Sequence, residues 1–315
     1  VDQTVATRIG VVLTLVAFGW LARRTRLVDG PDLGALSRLV VDFAFPALVL
    51  VKLWATVDRA VLLAEWYVPV SALVVLPAGW WIGQRLTGRR TDAFLIGLPN
   101  WIFLPLLICE ALFGDPGVRT VLLFNAGAQL ALWTMGIATL TGQSDPRQLL
   151  RNPGLWATVL GIGGALLVPG LGALARNPSA AAGWLTVPGV LVEGLGLMGT
   201  MAIPLTLCVT GAQLGGVPLR RALRPTRRLW VVLGARLVLL PLLTWAALLL
   251  VEALGVQLDA RTRLVVLLTA AMPVAISGAV HARRFGGDAD LAAQSVLWST
   301  TLSLATVPLI VRLLN

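Results

Sequence analysis

Apolar stretches close to membrane-spanning length recur from one end of this chain to the other, and no water-soluble fold can bury so many of them at once. A hydrocarbon core of about 30 Å needs about 20 apolar residues in helical form. Reading the apolar runs between turn and charge signals predicts ten helices, near 5–22, 36–54, 61–83, 92–113, 118–140, 154–175, 184–213, 228–252, 262–282 and 291–313. Composition agrees: 57% of the 315 residues are hydrophobic and 13% charged, against about 25% charged in a soluble domain. The expected class is therefore an all-α integral membrane protein with ten transmembrane helices and no separate soluble domain.

The connections carry turn chemistry, such as Gly114-Asp115-Pro116-Gly117 and Gly286-Gly287-Asp288. They also alternate in charge. Arg23, Arg24, Arg26 and Arg38, then Arg85, Arg89 and Arg90, then Arg147 and Arg151, then Arg220, Arg221, Arg224, Arg227 and Arg228, then Arg283 and Arg284 hold the majority of the 25 Lys and Arg. By the positive-inside rule these five connections are cytoplasmic and both termini lie outside a cell membrane crossed many times. The stretch from Val5 to Ala22 has no basic region before it and no small-residue cleavage site after it, so it is expected to be a retained helix rather than a secretory signal.

A net charge of +10 invites a nucleic-acid reading, but the basic residues sit in short loop clusters without interleaved aromatics, so no nucleic-acid partner is expected. Cys109 and Cys208 both fall in apolar runs and read as packing residues, and a lone histidine, His281, makes no metal cluster. Glu110 and His281 are expected at the membrane interfaces, as are Trp54, Trp66, Trp80, Trp81 and Trp184. No P-loop, dinucleotide fingerprint or nucleophile elbow occurs, so neither an enzyme, a cofactor nor ATP-driven pumping is expected.

The two halves, 1–140 and 154–315 joined by a connection at 141–153, echo each other weakly. Phe45-Pro46 in the second helix matches Ile203-Pro204 in the seventh. Leu98-Pro99-Asn100 through Phe113-Gly114-Asp115 in the fourth matches Met272-Pro273 through Phe285-Gly286-Gly287-Asp288 in the ninth. Five helices per half is odd, so equivalent helices run oppositely and the repeat is inverted, an arrangement typical of secondary transporters. Pro99, Pro105 and Pro273 are expected to interrupt their helices, because proline removes a donor and clashes with the preceding turn. Each second half-helix would then begin with unpaired N–H groups at a partly positive end, and two such ends converging would attract a carboxylate. A simple proline kink is the competing reading.

Taken in order, Phe18-Gly19-Trp20-Leu21-Ala22-Arg23-Arg24, Pro99-Asn100 through Leu112-Phe113-Gly114, Leu123-Phe124-Asn125-Ala126-Gly127, Ala271-Met272-Pro273 through Asp288, and Ser299-Thr300 make the chain resemble the auxin efflux carrier family, which shares a superfamily with the bile acid/sodium symporters. The resemblance runs over nearly the whole chain. It implies two inverted five-helix repeats, discontinuous helices 4 and 9 crossing at their prolines, and a transport unit of helices 3–5 and 8–10 moving against a scaffold of helices 1, 2, 6 and 7. It also implies anionic substrates, auxin in plants and dicarboxylates in many bacterial members. The usual glycine before Pro105 and the long cytoplasmic loop of plant carriers are absent here, which points to a compact bacterial-type member.

The expected substrate-binding residues are Pro99, Asn100, Pro105, Asn125, Gln129, Met272, Pro273 and Ser277. Asn100 can donate to a carboxylate or cap the second half-helix, and Asn125 and Gln129 share a helix face that lines a cavity or bonds a neighbouring helix. Ionisable groups at depth are costly and so informative. Asp42, Glu193 and Arg236 qualify, as proton carrier, buried structural partner, or an Asp42–Arg236 ion pair. Ser295, Ser299 and Ser303 form a stripe suited to packing or to ion ligation. The resulting expectation is a secondary transporter for a small organic anion in a lipid bilayer. A carrier coupled to H+ or Na+ on the same fold and a passive anion channel are the alternatives, and a homodimer is an open option.

Overall fold

A computed structural model describes residues 2–143, 146–168, 170–180, 186–216, 226–255 and 257–313. Among them every regular element is helical. Arg220, Arg221, Arg224 and Trp184 lie outside the described residues.

Among the described residues four helices are long and apolar enough to cross a membrane: Gly30–Thr56, Asp115–Thr141, Thr186–Gly215 and Arg227–Ala253. A fifth is added if Arg59–Glu65 and Tyr67–Thr87 count as one broken span. The remaining predicted stretches are helical too, as Asp2–Arg24, Pro153–Leu167 with Leu171–Arg176, and Ala289–Leu313, while two are split in the middle: Arg90–Ile96 with Phe103–Phe113, and Ala260–Ala271 with Ser277–Arg284.

Helix starts follow capping chemistry. Asp58 Oδ1 accepts from the Val61 N–H at 2.8 Å, Asn152 Oδ1 from the Gly154 N–H at 2.8 Å and Thr226 Oγ1 from the Leu229 N–H at 3.1 Å. Within two long helices the turn ahead of a proline is widened. Val40–Ala44 and Ala235–Leu239 are π turns, closed by the Phe45 N–H on the Val40 carbonyl and the Leu240 N–H on the Ala235 carbonyl. Each directly precedes the pair Phe45-Pro46 or Leu240-Pro241, so the surplus residue relieves the clash without breaking the helix.

The chain divides into two compact units. One contains residues 1–12, 67–146 and 217–315, and the other 13–66 and 147–216. In the second unit Pro153–Leu167 and Thr186–Thr200 pack on Phe45–Thr56. There, close approach replaces bulky packing: a Cβ on Gly211 would lie 1.8 Å from the Val16 carbonyl oxygen, and one on Gly19 at 1.8 Å from that of Cys208. Only glycine lets two helix backbones touch this way, as is usual where lipid supplies no hydrophobic drive for helix association.

In the first unit Tyr67–Thr87 packs on Asp115–Thr141 and on Arg90–Ile96. Its core is apolar, with Phe94, Leu98, Leu104, Ile108, Leu122, Phe124, Leu268 and Val274 all buried. Two expectations are corrected here. Trp80, expected at an interface, is 2% exposed and packs against the Gly97 backbone. His281, likewise expected at an interface, is buried among the rings of Phe94, Trp133 and Phe285. Apolar periodicity shows how far a residue lies along a span but not which face it takes, and both side chains turn inward.

Candidate functional site

The two split helices define the site. Arg90–Ile96 stops at Gly97, and Leu98, held before Pro99, is disfavoured from helical geometry. Ala260–Ala271 stops at Met272 for the same reason, its ψ of 149° already extended ahead of Pro273. Helix resumes at Phe103 and at Ser277, behind the apolar residues Ile102 and Ile276, neither of which supplies a side-chain cap. Pro105 does not interrupt the chain as expected. It sits in the first turn of Phe103–Phe113, where a missing N–H costs nothing.

The two extended pieces meet. Pro99 and Val274 form an antiparallel bridge, in which the Asn100 N–H donates to the Pro273 carbonyl at 2.8 Å and the Ala275 N–H to the Leu98 carbonyl at 2.9 Å. Each break thus supplies the partner the other lacks, which in a membrane interior offsets several kcal/mol per group otherwise left bare. The Val274 N–H is taken by Ser299 Oγ at 3.0 Å, so that member of the serine stripe holds the crossing. Asn100 Oδ1 accepts from the Phe103 N–H at 3.3 Å, which is the capping role. Trp101 Nε1 donates to Asn125 Oδ1 at 3.1 Å, and the Nδ2 donor of the wholly buried Asn125 has no partner among the described residues.

Arg236 addresses the other ends. Its side chain is 2% exposed, and its guanidinium donates to the carbonyls of Ile96, at 2.8 Å, and Ala270. These carbonyls close the two first half-helices, so one cation faces two partly negative helix ends. Among the described residues no carboxylate takes part in this contact. Arg236 is also the one charged side chain lining a cavity of about 110 Å³, together with Gly97, Pro99, Thr244 and Ala270.

Pro99, Asn100, Met272 and Pro273 therefore lie at the crossing, with Asn125 and Ser299 against it and Ser277 opening the second half-helix. Gln129 Oε1 accepts from Trp133 Nε1 one turn along the same helix, at 3.1 Å. Ser295 is buried, and its hydroxyl has no partner among the described residues. Asp42 and Glu193 belong to the other compact unit, where both are exposed.

Sequence reasoning missed an ion cluster in the first unit. Arg228 holds Asp92 with Nε at 2.7 and 2.9 Å from its two oxygens, and donates from a terminal nitrogen to Asp288 at 2.7 Å. The Asp288 N–H in turn donates to Thr91 Oγ1 at 3.2 Å. Asp92 opens a span and Arg228 sat in a basic loop cluster, so each looked like ordinary boundary charge. Their separation along the chain gave no pairing signal.

A family profile described as "Membrane transport protein" matches residues 4–148 and 139–311. The chain belongs to that family. The membrane transport protein family is the auxin-efflux-carrier-like group that the sequence resembles. An uncharacterized transporter of Methanothermobacter thermautotrophicus (strain Delta H) is similar to this chain, 26% identical over 310 residues that cover 95% of this chain and 94% of the relative. Membership in the membrane transport protein family makes this a membrane transporter and not an enzyme, and with the apolar helices it describes a protein that crosses its membrane several times.

Proposed function

We propose that this transporter moves a small organic anion, a mono- or dicarboxylate, bound where the two split helices cross. The observation that carries the reading is the bridged pair of breaks at Pro99 and Val274, each followed by a half-helix whose first turn has an apolar cap residue. The partly positive ends of these half-helices favour negative charge without a full cation in the binding position, even with the Phe103 N–H capped by Asn100 Oδ1. Asn100, its oxygen committed to the cap, and Asn125, with a spare Nδ2, are the side-chain donors. The positive charge of Arg236 beside the adjoining cavity biases the region further toward anions. In this reading ten helices form two inverted repeats, and the unit carrying the crossing moves relative to the other in elevator-type alternating access.

The test is uptake and counterflow of labelled mono- and dicarboxylates in liposomes containing the purified protein. Saturable uptake that exchanges labelled for unlabelled substrate is expected. Asn100→Ala should weaken apparent affinity about ten- to a hundredfold, the loss of a hydrogen bond to a charged group. Conductance without saturation, or no carboxylate bound or moved, would reject the proposal.

A further inference from the structure

We propose that Arg236 is a built-in cation filling the carbonyl site at the crossing that a coupling Na+ would otherwise occupy, so that transport by this chain runs without sodium. The inference rests on the reading of the crossing as the transport site and concerns how that site is charged. In transporters with broken helices, unwound carbonyls and the carboxyl ends of half-helices are the groups that coordinate Na+. Here the carboxyl ends of both first half-helices, at Ile96 and Ala270, point their carbonyls at one guanidinium.

Two further features fit a charge placed there for the carbonyls. Arg236 is among the largest fully buried side chains, and among the described residues its partners are those two carbonyls, with no carboxylate to balance it. A buried cation without compensation is costly, so the converging negative ends are what hold it charged in place. The side chain also leaves from the π turn Ala235–Leu239, the widened segment ahead of Pro241. Arginine stays charged where lysine gives up its proton more readily, and its planar fork reaches two acceptors at once. A fixed cation of this kind cannot be released on either side of the membrane, which removes an ion gradient as a driving force at this position.

The experiment compares wild type, Arg236→Ala and Arg236→Lys, purified in detergent and reconstituted, in sodium chloride and in choline chloride. Two readouts are taken, thermal unfolding midpoint and carboxylate uptake. Wild type and Arg236→Lys should show the same midpoint and the same uptake in either salt. Arg236→Ala, with the carbonyls emptied, should gain stability from Na+ or from low concentrations of guanidinium. Its carboxylate affinity should rise about tenfold with the added cation, within the usual range of coupling between two ligands. Wild type that needs Na+ for uptake or is stabilised by it overturns the proposal, as does a folded Arg236→Ala indifferent to both cations. If Arg236→Ala does not fold, the sodium titrations of wild type and Arg236→Lys decide. If wild type moves no carboxylate, the transport reading fails, while the thermal readout still judges the cation site.

Discussion

Single residues show where charge is tolerated in this molecule and on what terms. The Asp92 carboxylate is 2% exposed and survives because Arg228, 30% exposed, grips both its oxygens and shares itself with Asp288. Removing Arg228 and removing the charge of Asp92 are therefore unequal. Arg228→Leu strands a buried anion, a change that costs about 3–5 kcal/mol where a pair is fully buried and less here because the arginine is partly wet. Asp92→Asn leaves Arg228 its second carboxylate and should cost only about 1–2 kcal/mol. Thermal unfolding of the two variants in one detergent should rank Arg228→Leu clearly lower; equal midpoints would show that the cluster does not bear on stability. Asn100 and Pro273 could be singled out from sequence because proline chemistry is local. The Arg228 cluster could not, since its members come from three distant segments whose approach depends on packing.

At the scale of elements, the described parts of the predicted apolar stretches are largely helical, two of them split in the middle, because apolar length is a property each segment carries by itself. What the helices do internally was less legible. Proline produced three outcomes: a full break at Pro99 and Pro273, a widened turn before Pro46 and Pro241, and no change of helix type at Pro105 in a first turn or at Pro77 and Pro308 inside their helices. The difference lies in the surroundings. A break persists only where a second extended segment supplies hydrogen-bond partners, and a proline in a first turn has no donor to lose. Helix contact gives a prediction at this scale. Gly211→Ala pushes a methyl into the Val16 backbone and should cost about 1–3 kcal/mol, as overpacking does. Gly194→Ala, in the same helix with nothing near its Cβ, should be neutral or stabilise by about 0.5–1 kcal/mol. Midpoints that move together in the two variants would mean that the contact is not tight.

On the scale of the whole chain, the two compact units are each assembled from both halves of the sequence, which no run of neighbouring residues announces. The unit with the crossing takes residues 67–146 from one half and 217–315 from the other. Severing the chain in the 141–153 connection and expressing the two pieces together should therefore restore a protein that copurifies, whereas either piece alone should be degraded. Copurification through an affinity tag on one piece is the measurement, and a stable solitary first piece would contradict the architecture. The bridged breaks carry this into biosynthesis. Leu98 and Asn100 find their backbone partners on Ala275 and Pro273, residues that leave the ribosome long after the first half has entered the bilayer. Until then the opened turn must wait among lipids or beside the insertion machinery with its polar groups unclaimed. Late synthesis, rather than slow chemistry, sets the moment at which this protein acquires its centre.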